Sequence, residues 1–256
     1  MKSGTQTAAT KSPKRILVTG ASRGAGKSIA RACAADGGDV VIHYNAQREA
    51  ADALAKELGD RALGVIGKDL GEAGAGTALW AEAEAQFGSL DALVNNAGIY
   101  RATPINDDAQ WEAGWTDQLA VNLRAPCDLM RAAVNAFRAR GGGSIVNIAS
   151  RAAYRGDGPD HCGYAAVKAG LVAAAKTLAR AYSGDGVLIY TLTPGWIETD
   201  MAPSRVEARR AAFAEIPLGA VAQPDEIGAV TAFLLSGLCP SATGTVMDIN
   251  GASYVR

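Results

Sequence analysis

The 256-residue sequence lacks the residue patterns from which metal sites, disulfide frameworks and membrane spans are built. Its four cysteines are scattered without a Cys-x-x-Cys pair and it has two histidines, which excludes a zinc finger or a disulfide framework and suits a reducing compartment. No apolar run approaches about 18 residues, so we expect no membrane span. The first 14 residues are polar, so we expect no secretory signal and a cytoplasmic location.

An excess of charge of one sign is also missing, since the net charge is −1 and 20% of the residues are charged. This composition excludes the basic footprint of proteins that bind nucleic acid or an anionic membrane surface. The hydrophobic content of 48% is enough for a large core, and the length fits one α/β domain. We therefore expect a flexible tail over residues 1–13 and a single domain over residues 14–256.

Short apolar runs alternate along the chain with longer Ala-rich segments, which predicts strands that alternate with helices. The predicted strands are Arg15–Thr19, Val40–Tyr44, Ala62–Gly67, Leu90–Asn95, Ser144–Ala149, Val187–Thr191 and Thr245–Ile249. The predicted helices are Gly26–Asp36, Arg48–Leu58, Ala73–Phe87, Trp111–Ala139, Gly163–Tyr182 and Pro224–Leu235. This alternation predicts a three-layer α/β/α Rossmann fold on a doubly wound, mostly parallel seven-stranded sheet.

A glycine-rich loop joins the first predicted strand to the first predicted helix. Gly20, Gly24 and Gly26 would let the backbone approach a pyrophosphate, and the helix N-terminus would supply N–H donors. The spacing G-x-x-x-G-x-G departs from the usual dinucleotide pattern. The stretch Ala21–Ser28 also resembles the phosphate loop of nucleoside triphosphatases, with Ala in place of the first Gly. Asp69 is the nearest acid suited to Mg²⁺ and follows a weak strand, which makes triphosphatase the lesser alternative.

The end of the second predicted strand indicates which nicotinamide cofactor fits. No acid lies between Val40 and Arg48, where an Asp or Glu usually holds the 2′-hydroxyl of NAD. Arg23 in the glycine loop could instead meet a 2′-phosphate, with Arg48 as a second candidate. We therefore predict that NADP(H) is preferred, with NAD(H) as the alternative.

Tyr164 and Lys168 lie four residues apart on a predicted helix and so share one face. An ammonium beside a phenol stabilises the phenolate, which predicts a lowered pKa for Tyr164 and a role in general acid/base catalysis. Ser150 ends the preceding apolar run and supplies a hydroxyl to the same chemistry.

Together these motifs resemble the short-chain dehydrogenase/reductase family over Lys14–Arg256. The matching features also include Asn122 and, in chain order, the segments Asp69-Leu70, Asn95-Asn96-Ala97-Gly98 and Pro194-Gly195-x-x-x-Thr199. Within the family, the Pro194–Met201 segment and the tail around Asp248–Gly251 are similar to the 3-oxoacyl-(acyl-carrier-protein) reductases. The resemblance implies hydride transfer between NADP(H) and a small carbonyl or secondary alcohol, without a metal.

The resemblance also implies roles for individual residues. Tyr164 would be the acid/base, Lys168 would lower its pKa and bind the nicotinamide ribose, and Ser150 would bind the substrate oxygen. Asn122 would hold a water that feeds protons to Lys168. The implied cofactor-binding residues are Gly20, Ser22, Arg23, Gly24, Ala25, Gly26, Tyr44, Asn45, Asp69, Leu70, Asn96, Ala97, Gly98, Tyr164, Lys168, Pro194, Gly195, Ile197 and Thr199.

Some positions depart from the family pattern. Asp185 stands where relatives that dock acyl carrier protein tend to have an arginine, which argues against that partner. His161 and Cys162 precede Tyr164, and we expect them to line a pocket or face solvent rather than catalyse. The Ala-rich helix is compatible with the homotetramer usual in the family. A catalytically silent cofactor-binding sensor or structural subunit remains the second alternative.

The sequence does not name the substrate. The loops expected around it are Tyr100–Asp107, Arg151–Gly163 and Gly195–Gly219, and the last of these could be a lid. The loops mix apolar and basic side chains, and the arginines could recognise a carboxylate or phosphate, although most are expected on solvated faces. These side chains are Trp196, Met201, Phe213, Arg151, Arg155, Arg205 and Arg209.

Overall fold

The computed structural model describes residues 13–199, 210 and 213–256. Its centre is a seven-stranded sheet with the strand order β3-β2-β1-β4-β5-β6-β7, and every pair of neighbouring strands is parallel. The strands are β1 Arg15–Val18, β2 Asp39–Tyr44, β3 Ala62–Gly67, β4 Ala92–Asn95, β5 Gly143–Ile148, β6 Val187–Pro194 and β7 Val246–Ile249. The predicted fold class and strand number are confirmed.

Helices cover both faces of the sheet, and alternate residues of the strands divide the core between them. Leu17 of β1 joins a core cluster on one face, whereas Ile16 and Val18 join a cluster on the other. The helices are α1 Gly24–Ala35, α2 Arg48–Leu58, α3 Ala75–Phe87, α4 Asp108–Gln118, α5 Ala125–Arg140, α6 Ala152–Arg155, α7 Cys162–Tyr182 and α8 Pro224–Ser236. Helices α1 and α8 pack together, as do α3 and α5.

The predicted single helix Trp111–Ala139 is wrong, because the structure divides that stretch into α4, a π-helical segment over Leu119–Arg124, and α5. Pro126 has no N–H and cannot make the α-helical hydrogen bond to the carbonyl of Asn122. The helix widens at this point. Such π-helical turns are frequent at functional sites.

Other differences are small or lie outside the described residues. The one-turn helix α6 was not predicted, and α1 begins two residues before its predicted start. In the Gly195–Gly219 segment, Met201, Arg205 and Arg209 fall outside the described residues. Within the described part of the chain, no helix has the length and hydropathy to cross a membrane.

Candidate active site

A cavity of 390 Å³ opens at the carboxyl ends of the strands, next to the point where the strand order reverses between β1 and β4. In parallel sheets this crevice is the usual ligand site. Its walls come from the glycine loop and from the chain that follows β2, β3, β4, β5 and β6, with Tyr164 and Lys168 from α7. One cavity therefore collects residues from almost the whole length of the chain.

The glycine loop forms one end of this cavity and is held by close backbone contacts. Gly20 and Gly24 have φ values of +62° and +52°, which favour glycine. A Cβ on Gly26 would lie 2.2 Å from the carbonyl oxygen of Gly20, so no larger residue fits there. No side chain caps α1, which leaves its first-turn N–H groups as donors for a bound anion.

His43 fixes the glycine loop from below, a role that the sequence did not reveal. The backbone N–H of Gly20 donates to His43 Nδ1 over 3.0 Å, and Nε2 lies 2.9 Å from the carbonyl oxygen of Lys68. Since Nδ1 accepts, Nε2 carries the hydrogen and donates it to Lys68. Burial of the ring lowers the pKa of His43 to about 4, so the imidazole is neutral at physiological pH. This side chain ties the loop to the ends of β2 and β3.

Every predicted cofactor residue except Tyr44 lines the cavity. The Tyr44 ring packs over Gly67 instead, where an added Cβ would lie 2.8 Å from it. Near the glycine loop, Arg23, Asn45 and Gln47 line the wall where β2 ends, and β2 is followed by no acid there. This wall suits a 2′-phosphate better than a 2′-hydroxyl.

Asp69 lines the same end of the cavity, but its carboxylate accepts a hydrogen bond from the N–H of Gly71 over 2.8 Å. Across the described residues, no group of three or more His, Cys, Asp or Glu side chains could hold a metal ion.

Tyr164, Lys168 and Ser150 meet at the other end of the cavity. Lys168 Nζ lies 5.7 Å from the centre of the Tyr164 ring and donates to the carbonyl oxygen of Ile148 over 2.9 Å. Ser150, which follows β5, accepts a hydrogen bond from the N–H of Ala152 over 3.1 Å. The hydroxyl, phenol and ammonium that the sequence singled out are therefore neighbours in one wall.

Burial shifts the pKa values of Tyr164 and Lys168. It raises the pKa of Tyr164 to about 12, and a hydrogen bond with Ser150 opposes that rise without cancelling it. The predicted lowering of the Tyr164 pKa is thus not found in the chain alone, because loss of solvent outweighs stabilisation of the phenolate. Burial also lowers the pKa of Lys168 to about 8. At neutral pH the phenol holds its proton and the ammonium is close to its titration point.

Asn122 supports this wall from the π-helical segment without lining the cavity. Its side chain is 1% exposed and forms two hydrogen bonds with the backbone of Ile99, at 2.9 Å from the N–H and 2.8 Å to the carbonyl oxygen. A Cβ on Gly98 would lie 3.1 Å from the Asn122 amide oxygen and 3.5 Å from Lys168 Nζ. The side chains of Asn122 and Lys168 therefore both approach Gly98.

Aromatic rings surround the Tyr164 end of the cavity. Tyr100 stacks face to face on His161 with centroids 4.0 Å apart, and it meets Tyr164 edge-on at 4.8 Å and Trp196 at 6.4 Å. His161 and Cys162 do not line the cavity themselves. The sequence gave no sign of this stack, which joins Tyr100 to His161, 61 residues away in a different loop.

A family model described as enoyl-(acyl carrier protein) reductase matches residues 20–252 of the chain. The 3-oxoacyl-[acyl-carrier-protein] reductase of Staphylococcus aureus is 34% identical over 250 residues, which cover 96% of this chain and 100% of that protein. The enzyme of the same name from Escherichia coli is 35% identical over 243 residues, covering 94% and 98%.

A solved structure is similar over the same extent. It is a 3-oxoacyl (acyl-carrier-protein) reductase from Agrobacterium tumefaciens with NADP bound, and the match has a TM-score of 0.84 at 31% identity, covering 93% of each chain. The likeness in sequence and in structure therefore spans the glycine loop, the Ser150–Lys168 region and the strands that position them.

Proposed function

The chain belongs to the short-chain dehydrogenase/reductase family, and on that premise we propose that it is an NADP(H)-dependent oxidoreductase acting on a small ketone or 3-oxoacyl compound and the matching secondary alcohol. The observation that carries the proposal is the single cavity that joins the glycine loop to Ser150, Tyr164 and Lys168. An acid/base group at one end and a phosphate cradle at the other is what hydride exchange with a dinucleotide requires.

The residues present fit the cofactor. The glycine loop and the N-terminus of α1 would hold the pyrophosphate, and Arg23 with Asn45 would meet the 2′-phosphate. Ile197 and Thr199 line the wall where the carboxamide would bind. When bound, NADPH supplies the hydride that reduces the carbonyl carbon.

The chain itself moves the proton. Tyr164 is protonated at neutral pH and would donate its hydroxyl proton to the carbonyl oxygen, while Ser150 donates a hydrogen bond to that oxygen and stabilises the charge that develops there. Lys168, whose pKa is about 8, would help return a proton to Tyr164. Alcohol oxidation needs the phenolate instead, so we expect its pH optimum to lie above that of carbonyl reduction.

Substitution of Tyr164 by Phe tests the acid directly. We expect kcat for ketone reduction to fall by about 10²–10⁴-fold, because the general acid is gone, while the Kd for NADPH stays within about threefold. Turnover is followed by the absorbance of the nicotinamide and the Kd by its fluorescence. The wild type is measured with both NADPH and NADH to determine which cofactor it prefers. Retained turnover in the variant would remove Tyr164 from the mechanism. Tight NADPH binding without turnover of any carbonyl by the wild type would favour the silent sensor.

We also propose that the substrate is a free small molecule rather than an acyl-carrier-protein thioester, and that the enzyme is a cytoplasmic homotetramer. Asp185 stands at the position expected to face that acidic partner, and its ion pair with Arg138 over 2.5 Å leaves no net positive charge there. All four cysteines are free, in keeping with a reducing compartment. Sedimentation of a stable monomer would contradict the tetramer.

A further inference from the structure

Arg151 directly follows Ser150 and lines the same cavity. Its backbone N–H donates to the carbonyl oxygen of Pro194 over 2.9 Å, which fixes the residue between β5 and β6. The side chain is only 7% exposed. The sequence left open whether this arginine meets an anion or lies on a solvated face, and the structure buries its guanidinium beside the site of proton transfer. Such a group is expensive to bury unless an anion meets it.

The protein meets this guanidinium incompletely. Arg151 Nη2 lies 3.5 Å from Glu215 Oε2, a long contact, and the buried Nη1 has no hydrogen-bond partner among the described residues. Arg155 Nη2 approaches the same oxygen of Glu215 at 3.1 Å. Two cations therefore share one carboxylate oxygen, and that carboxylate is 50% exposed. Burial and the neighbouring charge of Arg155 lower the pKa of Arg151, so an added anion would stabilise it.

The remaining charges at this end limit what kind of anion fits. Asp157 lines the same wall, and together with burial its carboxylate raises the pKa of Tyr100. Two guanidinium groups thus face two carboxylates, Glu215 and Asp157. A doubly charged phosphate would be repelled by both acids more strongly than a singly charged carboxylate. A carboxylate also matches the fork of N–H donors on an arginine.

We propose that Arg151, assisted by Arg155, binds a carboxylate on the carbonyl substrate, so that the substrate class is an oxo acid. The inference rests on the proposed function and adds the group that orients the substrate. With the carboxylate at Arg151 and the carbonyl oxygen at Ser150 and Tyr164, the apolar part of the molecule lies against Tyr100 and Trp196. Binding at two points fixes which face of the carbonyl receives the hydride.

Pairs of compounds that differ only in charge test the proposal. Pyruvate, acetoacetate and levulinate are each compared with the corresponding primary amide, and dihydroxyacetone phosphate represents a phosphate. The wild type is compared with Arg151→Met, Arg151→Lys and Arg155→Met, with Arg180→Met as the matched control because Arg180 is an exposed residue of α7 outside the cavity. The quantities are kcat/KM with NADPH and, independently of turnover, calorimetric binding to the NADP-loaded Tyr164→Phe protein.

We expect at least one acid to exceed its amide by about 10–100-fold in both quantities, the range for hydrogen bonds to a charged group. Arg151→Met should reduce this acid-to-amide ratio about tenfold or more, Arg151→Lys should restore part of it, Arg155→Met should lower it less, and Arg180→Met should leave it unchanged. Melting curves and NADPH affinity show that each variant is folded.

Three results would overturn the proposal: amides bound as well as acids, a ratio unaffected by Arg151→Met, or a preference for the phosphate. An unaffected ratio with a lowered melting temperature would make the Arg151–Glu215 contact purely structural. None of these results affects the proposed function if the protein reduces at least one ketone. The proposed function itself is rejected if the protein binds NADPH but reduces no carbonyl compound.

Discussion

The two ends of the cavity are built in different ways. At the glycine-loop end the contacts are made to backbone groups: a Cβ on Gly26 would meet the carbonyl oxygen of Gly20, and His43 accepts from the N–H of Gly20. At the Tyr164 end, side chains from separate loops make the contacts through ring stacks and ion pairs, as between Tyr100 and His161. Contacts to backbone groups suit the binding of a cofactor whose structure is always the same. The side chains at the Tyr164 end could be replaced to fit another substrate without disturbing the glycine loop.

This comparison predicts that changes at the first end act on the cofactor and changes at the second end act on the substrate. The largest effect is expected for Gly26→Ala, because its Cβ would lie 2.2 Å from the carbonyl oxygen of Gly20. The loop must move by a substantial fraction of an ångström, and we expect the Kd for NADPH to rise about a hundredfold or more, measured by fluorescence titration. Gly184→Ala is the control, since a Cβ there meets nothing within 4 Å. Equal behaviour of the two variants would contradict the account of the loop.

A smaller effect is expected for His43→Gln, which loses at least one of the two hydrogen bonds that hold the loop. The Kd for NADPH should rise about tenfold, with kcat for a saturating ketone little changed.

The same variant has a pH signature. The folded-state pKa of His43 is about 4, below the ordinary 6.5, so the unfolded chain takes up the proton first. The free energy of unfolding should therefore fall as pH drops from about 6.5 to 4, by about 3 kcal/mol in the wild type. Urea denaturation at several pH values gives the free energy of unfolding as a function of pH. Compared with the wild type, this curve should be flatter for His43→Gln and nearly the same for the control His161→Gln. The same slope in all three proteins would argue that His43 is not buried as described.

The smallest effect is expected at the other end, for Tyr100→Leu. The variant loses the stack on His161 and the edge contacts with Tyr164 and Trp196, each worth about 0.5–1.5 kcal/mol. We expect KM for the carbonyl substrate to rise about three- to tenfold, while the Kd for NADPH changes less than twofold. Tyr182→Leu, outside the cavity, is the control. A loss of NADPH affinity equal to the loss of substrate affinity would erase the distinction between the two ends.

The parts of the fold and site that could be predicted from sequence are those encoded over short stretches. The strands, the glycine loop and the i, i+4 pair of Tyr164 and Lys168 each lie within a few residues, so local patterns identify them. The family resemblance singled out Asn122 as a site residue. It did not predict the π-helical segment that carries Asn122, which depends on a single proline, Pro126, inside a long helical pattern.

The remaining features depend on distance in sequence or on burial. The imidazole of His43 is linked to Gly20, 23 residues away, and Arg151 to Glu215, 64 residues away, and no local pattern reports such pairs. The direction of the Tyr164 pKa was missed for a related reason. Spacing shows that a charge is nearby, whereas the loss of solvent that raises the pKa of Tyr164 depends on the whole fold.

The strand order of the sheet has a consequence for how the protein is made. Synthesis reaches Asn95, where β4 ends, well before Gly143, where β5 begins. Until then β4 is an unpaired apolar edge on the growing chain, a surface that invites aggregation. Lys168 is fixed by the carbonyl of Ile148 at the end of β5. The strands that flank the glycine loop are thus synthesised well before Tyr164 and Lys168, which the chemistry needs.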